Sequence, residues 1–286
     1  MDHFKLYNGV EIPAIGYGTY RSMLERDENV IIAAIKAGYR HIDTAARYKT
    51  EPGIGKAIKA CGINRSDFFI TTKIWTDDLG YDSTLKAIET SLENLQMDYL
   101  DLYLIHWPIN YGDHEAGWVD DVWKEPVVQT WKAMERAYEE GILKAIGTSN
   151  FLPHHLEVLF AKGNIKPMVD QLEYHPGYTQ QYAVDFCKSN DILVEAWSPL
   201  GRSRVLNDSF ILALAKKYNV SAPQVCLRFA YQNGILTLPK ASSIERMLQN
   251  KDIFNFEINR EDMHRLSTLS PLGWSGEHPD FKRVQI

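Results

Sequence analysis

The run Gly38-Tyr39-Arg40-His41-Ile42-Asp43-Thr44-Ala45-Ala46-Arg47-Tyr48 is followed along the chain by Lys73 and His106. An aspartate, a tyrosine, a lysine and a histidine, each set at or just past the end of a short apolar segment, make a proton-donating site suited to reducing a carbonyl. A phenol has a pKa of about 10 and is a poor acid at neutral pH. A lysine ammonium at about 4 Å favours the phenolate by roughly 4 kcal/mol at an effective dielectric of about 20, or about three pKa units. Asp43 keeps that ammonium charged and in place, and His106 offers a second hydrogen bond to the substrate oxygen. The four residues read as a tuned general acid.

Taken singly, each has a plainer explanation. Asp43 alone reads as a strand-end cap, Lys73 as a lysine snorkelling from an apolar strand, and His106 as a metal ligand. A metal barrel needs further histidines or carboxylates at strand ends, and His154-His155 falls at a helix start while His175-Pro176 reads as a turn. No metal is expected. Tyr20, Trp75 and Trp107 follow strand ends and line a substrate pocket on this reading. Gly53-Ile54-Gly55-Lys56 is similar to a nucleotide-binding loop, but Ile58 stands where the dinucleotide fingerprint needs its third glycine and Thr50 where a P-loop needs its first.

Positioning four such residues at one place is a task for the fold. Short β-type runs at 14–18, 41–43, 69–73, 102–106, 145–148, 168–172, 193–196 and 236–239 alternate with amphipathic stretches at 30–37, 53–60, 83–95, 126–139, 153–160, 180–188 and 211–231, with 244–251 after the last run. Ser66-Asp67 and Asp82-Ser83 read as caps, Pro126 and Pro153 as first-turn prolines, and Gly38, Gly141 and Gly234 as stops. Eight strands each followed by a helix predict a closed parallel (β/α)8 TIM barrel, an α/β fold of one domain over residues 1–286. Segments 5–7 and 10–12 flank Asn8-Gly9, which predicts a hairpin with a type I′ turn capping the barrel floor. Because barrel active sites sit at the C-terminal ends of the strands, Asp43, Tyr48, Lys73 and His106 are expected on one rim. The connection 108–125, beside Trp107 and carrying Trp118 and Trp123, is long for a strand-to-helix loop; it reads as a lid or pocket wall, or as a surface excursion.

Composition narrows the partners. The chain has 286 residues, 45% of them hydrophobic, and a net charge of −6 with interspersed signs, so no basic stripe offers itself to nucleic acid. Cys61, Cys187 and Cys226 have an odd count and no metal-ligand spacing, and read as reduced, packed thiols. The N-terminus shows no signal peptide and no apolar run is long enough to span a membrane. A cytoplasmic location without membrane contact is expected.

The ordered motifs resemble the aldo-keto reductase family over essentially the whole chain. Residues 38–45 with Tyr48 are similar to its first signature, and Lys73 and His106-Trp107-Pro108 follow in order. Gly147-Thr148-Ser149-Asn150-Phe151 and Gln171-Leu172-Glu173-Tyr174-His175-Pro176 resemble the segments whose Ser149, Asn150 and Gln171 hydrogen-bond the nicotinamide amide. Trp197-Ser198-Pro199-Leu200-Gly201 resembles a segment in which Trp197 replaces the usual stacking tyrosine, with Ser198 and Leu200 also at the cofactor. Leu238-Pro239-Lys240 with Ser242, Arg246 and Asn250 resembles the adenosine end of the site. The tail Trp274-Ser275-Gly276-Glu277-His278-Pro279-Asp280 is nearer to microbial diketogluconate and glyoxal reductases than to steroid-handling members. The resemblance implies NADPH/NADP+ as cofactor, a small-molecule carbonyl substrate, and a monomer. It implies reduction of aldehydes and reactive ketones, with Tyr48 as acid aided by Lys73 and Asp43. Ala241 departs from the pattern, standing where a serine usually touches the 2′-phosphate; Ser242 or Ser243 takes over, with Lys240 and Arg246 keeping the two cations. Two rivals are a slow regulatory barrel with the same cofactor site, against which the complete tetrad argues, and a metal-assisted hydrolase, for which the chain offers no ligand set.

Overall fold

The computed structural model describes residues 2–21, 28–109 and 122–281. The expected lid over 108–125 therefore lies mostly outside the described residues. Eight parallel strands follow chain order around one sheet: β3 (Tyr17–Gly18), β4 (His41–Asp43), β5 (Phe69–Ile74), β6 (Leu102–Ile105), β7 (Ile146–Ser149), β8 (Val169–Glu173), β9 (Leu193–Trp197) and β10 (Leu236–Thr237). The two edges meet. Ile15 bridges Thr237 in parallel, the Gly16 amide donates to the Thr237 carbonyl at 2.9 Å, and the Gly18 amide donates to the Pro239 carbonyl at 3.1 Å. The fold is the (β/α)8 barrel expected from the alternation.

Ahead of it, β1 (His3–Lys5) and β2 (Glu11–Pro13) form the antiparallel hairpin. Its turn differs from expectation. The Leu6 amide donates to the Val10 carbonyl and the Gly9 amide to the Leu6 carbonyl, which leaves a three-residue loop, Tyr7-Asn8-Gly9. Only Gly9 of these has positive φ, at 93°, so this is not a type I′ turn, which requires it at two successive residues. The Asn8 amide donates to the Lys144 carbonyl at 3.0 Å and the Tyr7 hydroxyl to the Lys166 carbonyl, both just ahead of barrel strands. The hairpin thus caps the barrel floor.

The helices between strands are α1 (Asn29–Lys36), α2 (Glu51–Ala60), α3 (Tyr81–Leu95), α4 (Lys124–Glu139), α5 (Pro153–Lys162) and α6 (Gln181–Ser189), then α7 (Ser209–Tyr218), α8 (Ala222–Gln232), α9 (Ile244–Lys251) and α10 (Arg260–Ser267). The single helix expected over 211–231 is two. Asn219 turns left-handed at φ 54°, and Ser221 starts α8 by accepting from the Gln224 amide, with Pro223 in its first turn. A proline in mid-helix would lack its N–H and clash with the preceding turn. Ser66-Asp67 lies within a 3-10 turn and Asp82-Ser83 inside α3, so neither pair caps a helix; Gly80 precedes α3, and the Thr130 hydroxyl accepts from its amide at 2.8 Å. α10, unforeseen, is capped by Asn259, which accepts from the Asp262 amide. The glycine-rich run 53–56 lies inside α2, where a Cβ on Gly55 would come 2.3 Å from the Leu95 carbonyl oxygen. Gly55 is a packing glycine, as the failed fingerprints required. No described helix is long and apolar enough to cross a membrane. Cys187 and Cys226 are buried, Cys61 is half-buried, and none is in a disulfide.

Alternation along the strands decides which face each polar side chain takes. His41, Asp43, Thr71, Lys73, Gln171 and Glu195 meet one another inside the barrel. Asp170, one residue out of phase, faces the helix layer: it accepts from the Thr148 hydroxyl at 2.9 Å and lies 3.8 Å from the Cys187 sulfur of α6. Burial pushes the Asp170 carboxyl up to about 7. A folded-state pKa above the unfolded value means the folded chain holds a proton that the unfolded chain sheds, so stability falls as pH rises from about 4 to about 7. Asp170→Asn keeps an oxygen for Thr148 and has no charge to bury. It is expected to raise the melting temperature by several degrees at pH 8, about 1–3 kcal/mol, and to do little near pH 4. Thermal melts across that range check it, and a gain independent of pH would contradict the burial cost.

Candidate active site

The strand ends deliver the four expected residues to one rim. Asp43 closes β4, Lys73 stands one position before the end of β5, His106 follows β6, and Tyr48 ends a 3-10 turn, Ala46–Tyr48, just past β4. Lys73 is wholly buried; its Nζ donates to Asp43 Oδ2 at 2.7 Å and to the Thr44 carbonyl at 2.8 Å. That ammonium lies 5.5 Å from the centre of the Tyr48 ring. The Tyr48 hydroxyl and His106 Nε2 are 3.4 Å apart.

One electrostatic expectation is reversed. The Tyr48 phenol is raised well above 10, first by burial, then by the Asp43 carboxylate and the neighbouring Tyr20 and Glu277, against a lowering contribution from Arg202. The Lys73 charge is matched at contact distance by Asp43, so its pull on the phenolate does not prevail. Tyr48 accordingly holds its proton at neutral pH, as a donor must. His106 is pushed well below 6.5 by burial and by Lys73, and is a neutral imidazole.

The cleft above these groups encloses about 520 Å³ and is lined by Tyr48, His106, Tyr20, Trp75, Trp107, Ser149, Asn150, Gln171 and Trp197, all singled out from the sequence. Arg47, Arg202 and Glu277 complete the lining and were not anticipated. Arg47 adjoins Tyr48 in the first motif and lies over the Trp75 ring at 5.3 Å. Arg202 pairs with Glu277 at 2.9 Å, joining the turn after β9 to the tail. No short-range pattern links two residues so far apart in sequence, although each sits in a segment the motifs had marked.

The wall opposite Tyr48 is a polar lattice. Asn150, left-handed at φ 62°, donates to the His106 carbonyl at 2.9 Å and accepts from the Trp197 indole at 2.8 Å. The Ser149 hydroxyl donates to the Gln171 carbonyl at 2.9 Å. Both hydrogens of the Gln171 amide are taken, by Asp43 Oδ2 at 2.9 Å and Glu195 Oε2 at 2.8 Å. The amide oxygen is the end left for the cleft. A second hollow, of about 390 Å³, is lined by Leu200, Lys240, Ala241, Ser242, Arg246 and Asn250 among others. Ser243 caps α9, accepting from the Arg246 amide, so of the two serines offered as substitutes it is Ser242 that faces this hollow. Ser198 lines neither, lying in the turn with φ 48°.

The histidines set aside as a helix start do meet a carboxylate: the ligand atoms of His154, His155 and Asp280 lie within 4.8 Å of one another. His155 Nδ1 accepts from the Leu152 amide, so in the neutral ring the proton sits on Nε2, 3.2 Å from Asp280 Oδ1. That nitrogen would have to surrender its proton before binding a metal. The cluster fastens the tail to α5.

This arrangement has close counterparts. The family model described as Aldo/keto reductase family matches residues 14–211 and 208–271. Glyoxal reductase of Bacillus subtilis is 46% identical over 281 residues, covering 98% of this chain and 96% of that protein. A crystal structure of an aldo/keto reductase from Brucella melitensis superposes with a TM-score of 0.85 at 41% identity, covering 93% of this chain and 98% of the other. A Bombyx mori aldo-keto reductase solved in complex with NADP gives a TM-score of 0.83 at 33% identity, with 93% and 92% covered. With the barrel matched from its first strand into its last helices, the chain belongs to the aldo/keto reductase family and is an oxidoreductase.

Proposed function

We propose that the cleft reduces aldehydes and reactive ketones, among them small dicarbonyls, keto sugars and aromatic aldehydes, to alcohols with NADPH as the reductant. The observation that carries this is the pairing of a protonated Tyr48 hydroxyl with a neutral His106, 3.4 Å apart at the base of the cleft. Glyoxal reductase as a relative at 46% identity supports the dicarbonyls, and the NADP complex of the Bombyx mori relative supports the cofactor.

The residues present fit that cofactor. With its N–H groups committed inward, Gln171 offers an acceptor oxygen to a carboxamide, flanked by Ser149 and Asn150. Trp197 presents an aromatic face suited to stacking, with Ser198 and Leu200 in the turn beyond it. Lys240, Ser242, Arg246 and Asn250 line the second hollow, and such a set of cations and hydrogen-bond partners supports reading it as the site of the 2′-phosphate and adenosine. Reduced nicotinamide supplies a hydride to the carbonyl carbon when bound. Tyr48 holds the carbonyl oxygen and gives it a proton as negative charge develops there. His106, in the tautomer protonated on Nε2, donates a second hydrogen bond that orients the oxygen. The Lys73 ammonium, held in place by Asp43, counters the growing charge on the phenolate. Tyr20, Trp75 and Trp107 close the apolar walls around the substrate.

NADPH consumption with methylglyoxal, an aromatic aldehyde and a keto sugar tests the reading. Turnover no faster than without protein, for every carbonyl tried, would overturn it. Cofactor choice is tested separately. Arg246 can grip phosphate oxygens with paired hydrogen bonds. A charge-assisted contact of this kind is worth about 1.5–3 kcal/mol, so Arg246→Ala is expected to weaken NADPH roughly 10- to 150-fold and hardly affect NADH. Titration of both cofactors at one ionic strength checks this. Equal losses would remove Arg246 from the 2′-phosphate.

A further inference from the structure

We propose that Glu195 is a positioning residue for the cofactor: its carboxyl, together with Asp43, holds the Gln171 amide in the orientation that presents oxygen, not nitrogen, to the cleft. The inference rests on the reading that Gln171 meets the nicotinamide carboxamide.

Glu195 is fully buried inside the barrel on β9, in register with Gln171 of β8. A glutamine amide can turn over by half a rotation at little cost unless its neighbours distinguish its two ends. Here both neighbours of Nε2 are acceptors. Asp43 Oδ2 also takes the Lys73 ammonium, so it stays an acceptor, and Glu195 Oε2 supplies the second site. Turning the amide over would set its oxygen against the Asp43 carboxylate and take away the N–H that Glu195 Oε2 now accepts.

The other oxygen, Glu195 Oε1, is buried without a hydrogen-bond partner. A buried carboxylate with an unmet oxygen is costly, and a protonated acid is the cheaper form. The facing groups agree. β8 contributes Gln171, β10 pairs Leu236 with Glu195, and across the barrel stand Asp43 of β4 and Lys73 of β5. A second carboxylate beside Asp43 would oppose the first. Burial and Asp43 push the Glu195 carboxyl up to about 8, against lowering contributions from Gln171 and Lys73. At neutral pH the proton therefore resides on Glu195, with Oε2 left to accept from Gln171. Above about pH 8 a new negative charge appears beneath the cofactor pocket. Such a charge favours the cationic ring of NADP+ over the neutral ring of NADPH, a discrimination that a purely structural role would not produce.

The test uses Glu195→Leu, Glu195→Gln and Gln171→Leu, with NADPH and NADP+ affinities read by tryptophan quenching from pH 6.5 to 9.5. Glu195→Leu is expected to weaken NADPH by about tenfold at pH 7, the loss of one buried hydrogen bond. Its KM for the aldehyde should not change. Glu195→Gln keeps an acceptor oxygen and should bind NADPH as the wild type does at pH 7. In the wild type the preference for NADPH over NADP+ should fall roughly tenfold above pH 8, the effect of one charge at about 10 Å with an effective dielectric of about 20. In Glu195→Gln that dependence should vanish. Wild-type affinity in Glu195→Leu, with affinity lost in Gln171→Leu, would overturn the role of Glu195 alone. Wild-type affinity in Gln171→Leu would overturn the reading beneath it as well. Should Glu195→Leu fail to fold, persistence of the pH dependence in Glu195→Gln overturns the proposal by itself.

Discussion

Tyr48→Phe is expected to lower carbonyl reduction by at least about 10²-fold, toward the 10⁴-fold upper range of general acid catalysis, with NADPH affinity close to wild type. The substitution removes one oxygen and keeps the ring, so the contacts of that ring with Tyr20, at 5.0 Å between centroids, and with the Lys73 ammonium survive. The lost hydroxyl has His106 Nε2 as its neighbour across 3.4 Å, and His106 stands at the open cleft, where water can replace the missing partner. The fold has little to lose. The reaction loses its proton donor. A phenol raised well above 10 is a weak acid by ordinary measure, yet an alkoxide is far more basic still, so the transfer remains downhill. The same raised pKa implies that the wild-type rate shows no fall from phenol ionisation at pH 9, because Tyr48 remains protonated there. Steady-state rates with methylglyoxal, beside a fluorescence titration with NADPH, decide the matter. A variant keeping a tenth of the wild-type turnover would show that Tyr48 is not the acid.

Much of this was legible because strands in such a barrel announce themselves twice. An apolar run such as 69–73 reads as a buried strand, and the polar residue at its end, Lys73, reads as a rim group; the strand itself runs one residue further, to Ile74. The same doubling marked Asp43 and His106, whereas Ser149 and Gln171 were marked by the family resemblance. Where the signals ran together, the reading slipped. Apolar residues on one stripe continue from Ile211 through Phe229, so the break at Asn219 was hidden, although Ser221 and Gln224 spell a capping box. The direction of the Tyr48 shift was out of reach for a different reason. Spacing along the chain says which groups approach one another, but the shift depends on burial and on how the Lys73 charge is already matched. Thr44 illustrates this: its backbone carbonyl accepts from Lys73, and a carbonyl leaves no mark in a sequence. Arg202 and Glu277 were missed because their pairing is created by the tail folding back over the rim.

Lys73→Met is expected to be the second most damaging change, and it must be separated from simple loss of stability. The ion pair with Asp43 is buried, and removing one partner of such a pair costs about 3–5 kcal/mol because the other charge is left uncompensated. Asp43 would then keep only the Gln171 amide as a donor at its Oδ2 and would tend to take up a proton. Both a lower melting temperature and a fall in turnover of at least about 10²-fold are expected, the latter because the phenolate left after proton transfer loses the ammonium beside its ring and keeps only Arg202, itself paired with Glu277, to favour it. Asp43→Asn should cost less in both respects. The ammonium keeps the Thr44 carbonyl and has an amide oxygen in place of the carboxylate, and of the two carboxylates that raise the phenol only Glu277 remains. The double variant Lys73→Met/Asp43→Asn separates the two effects. With neither buried charge left, it should recover most of the lost melting temperature and none of the lost rate. Recovery of both would show that Lys73 serves the barrel alone. Wild-type rates in Lys73→Met from pH 6 to 9 would remove the ammonium from the reaction altogether.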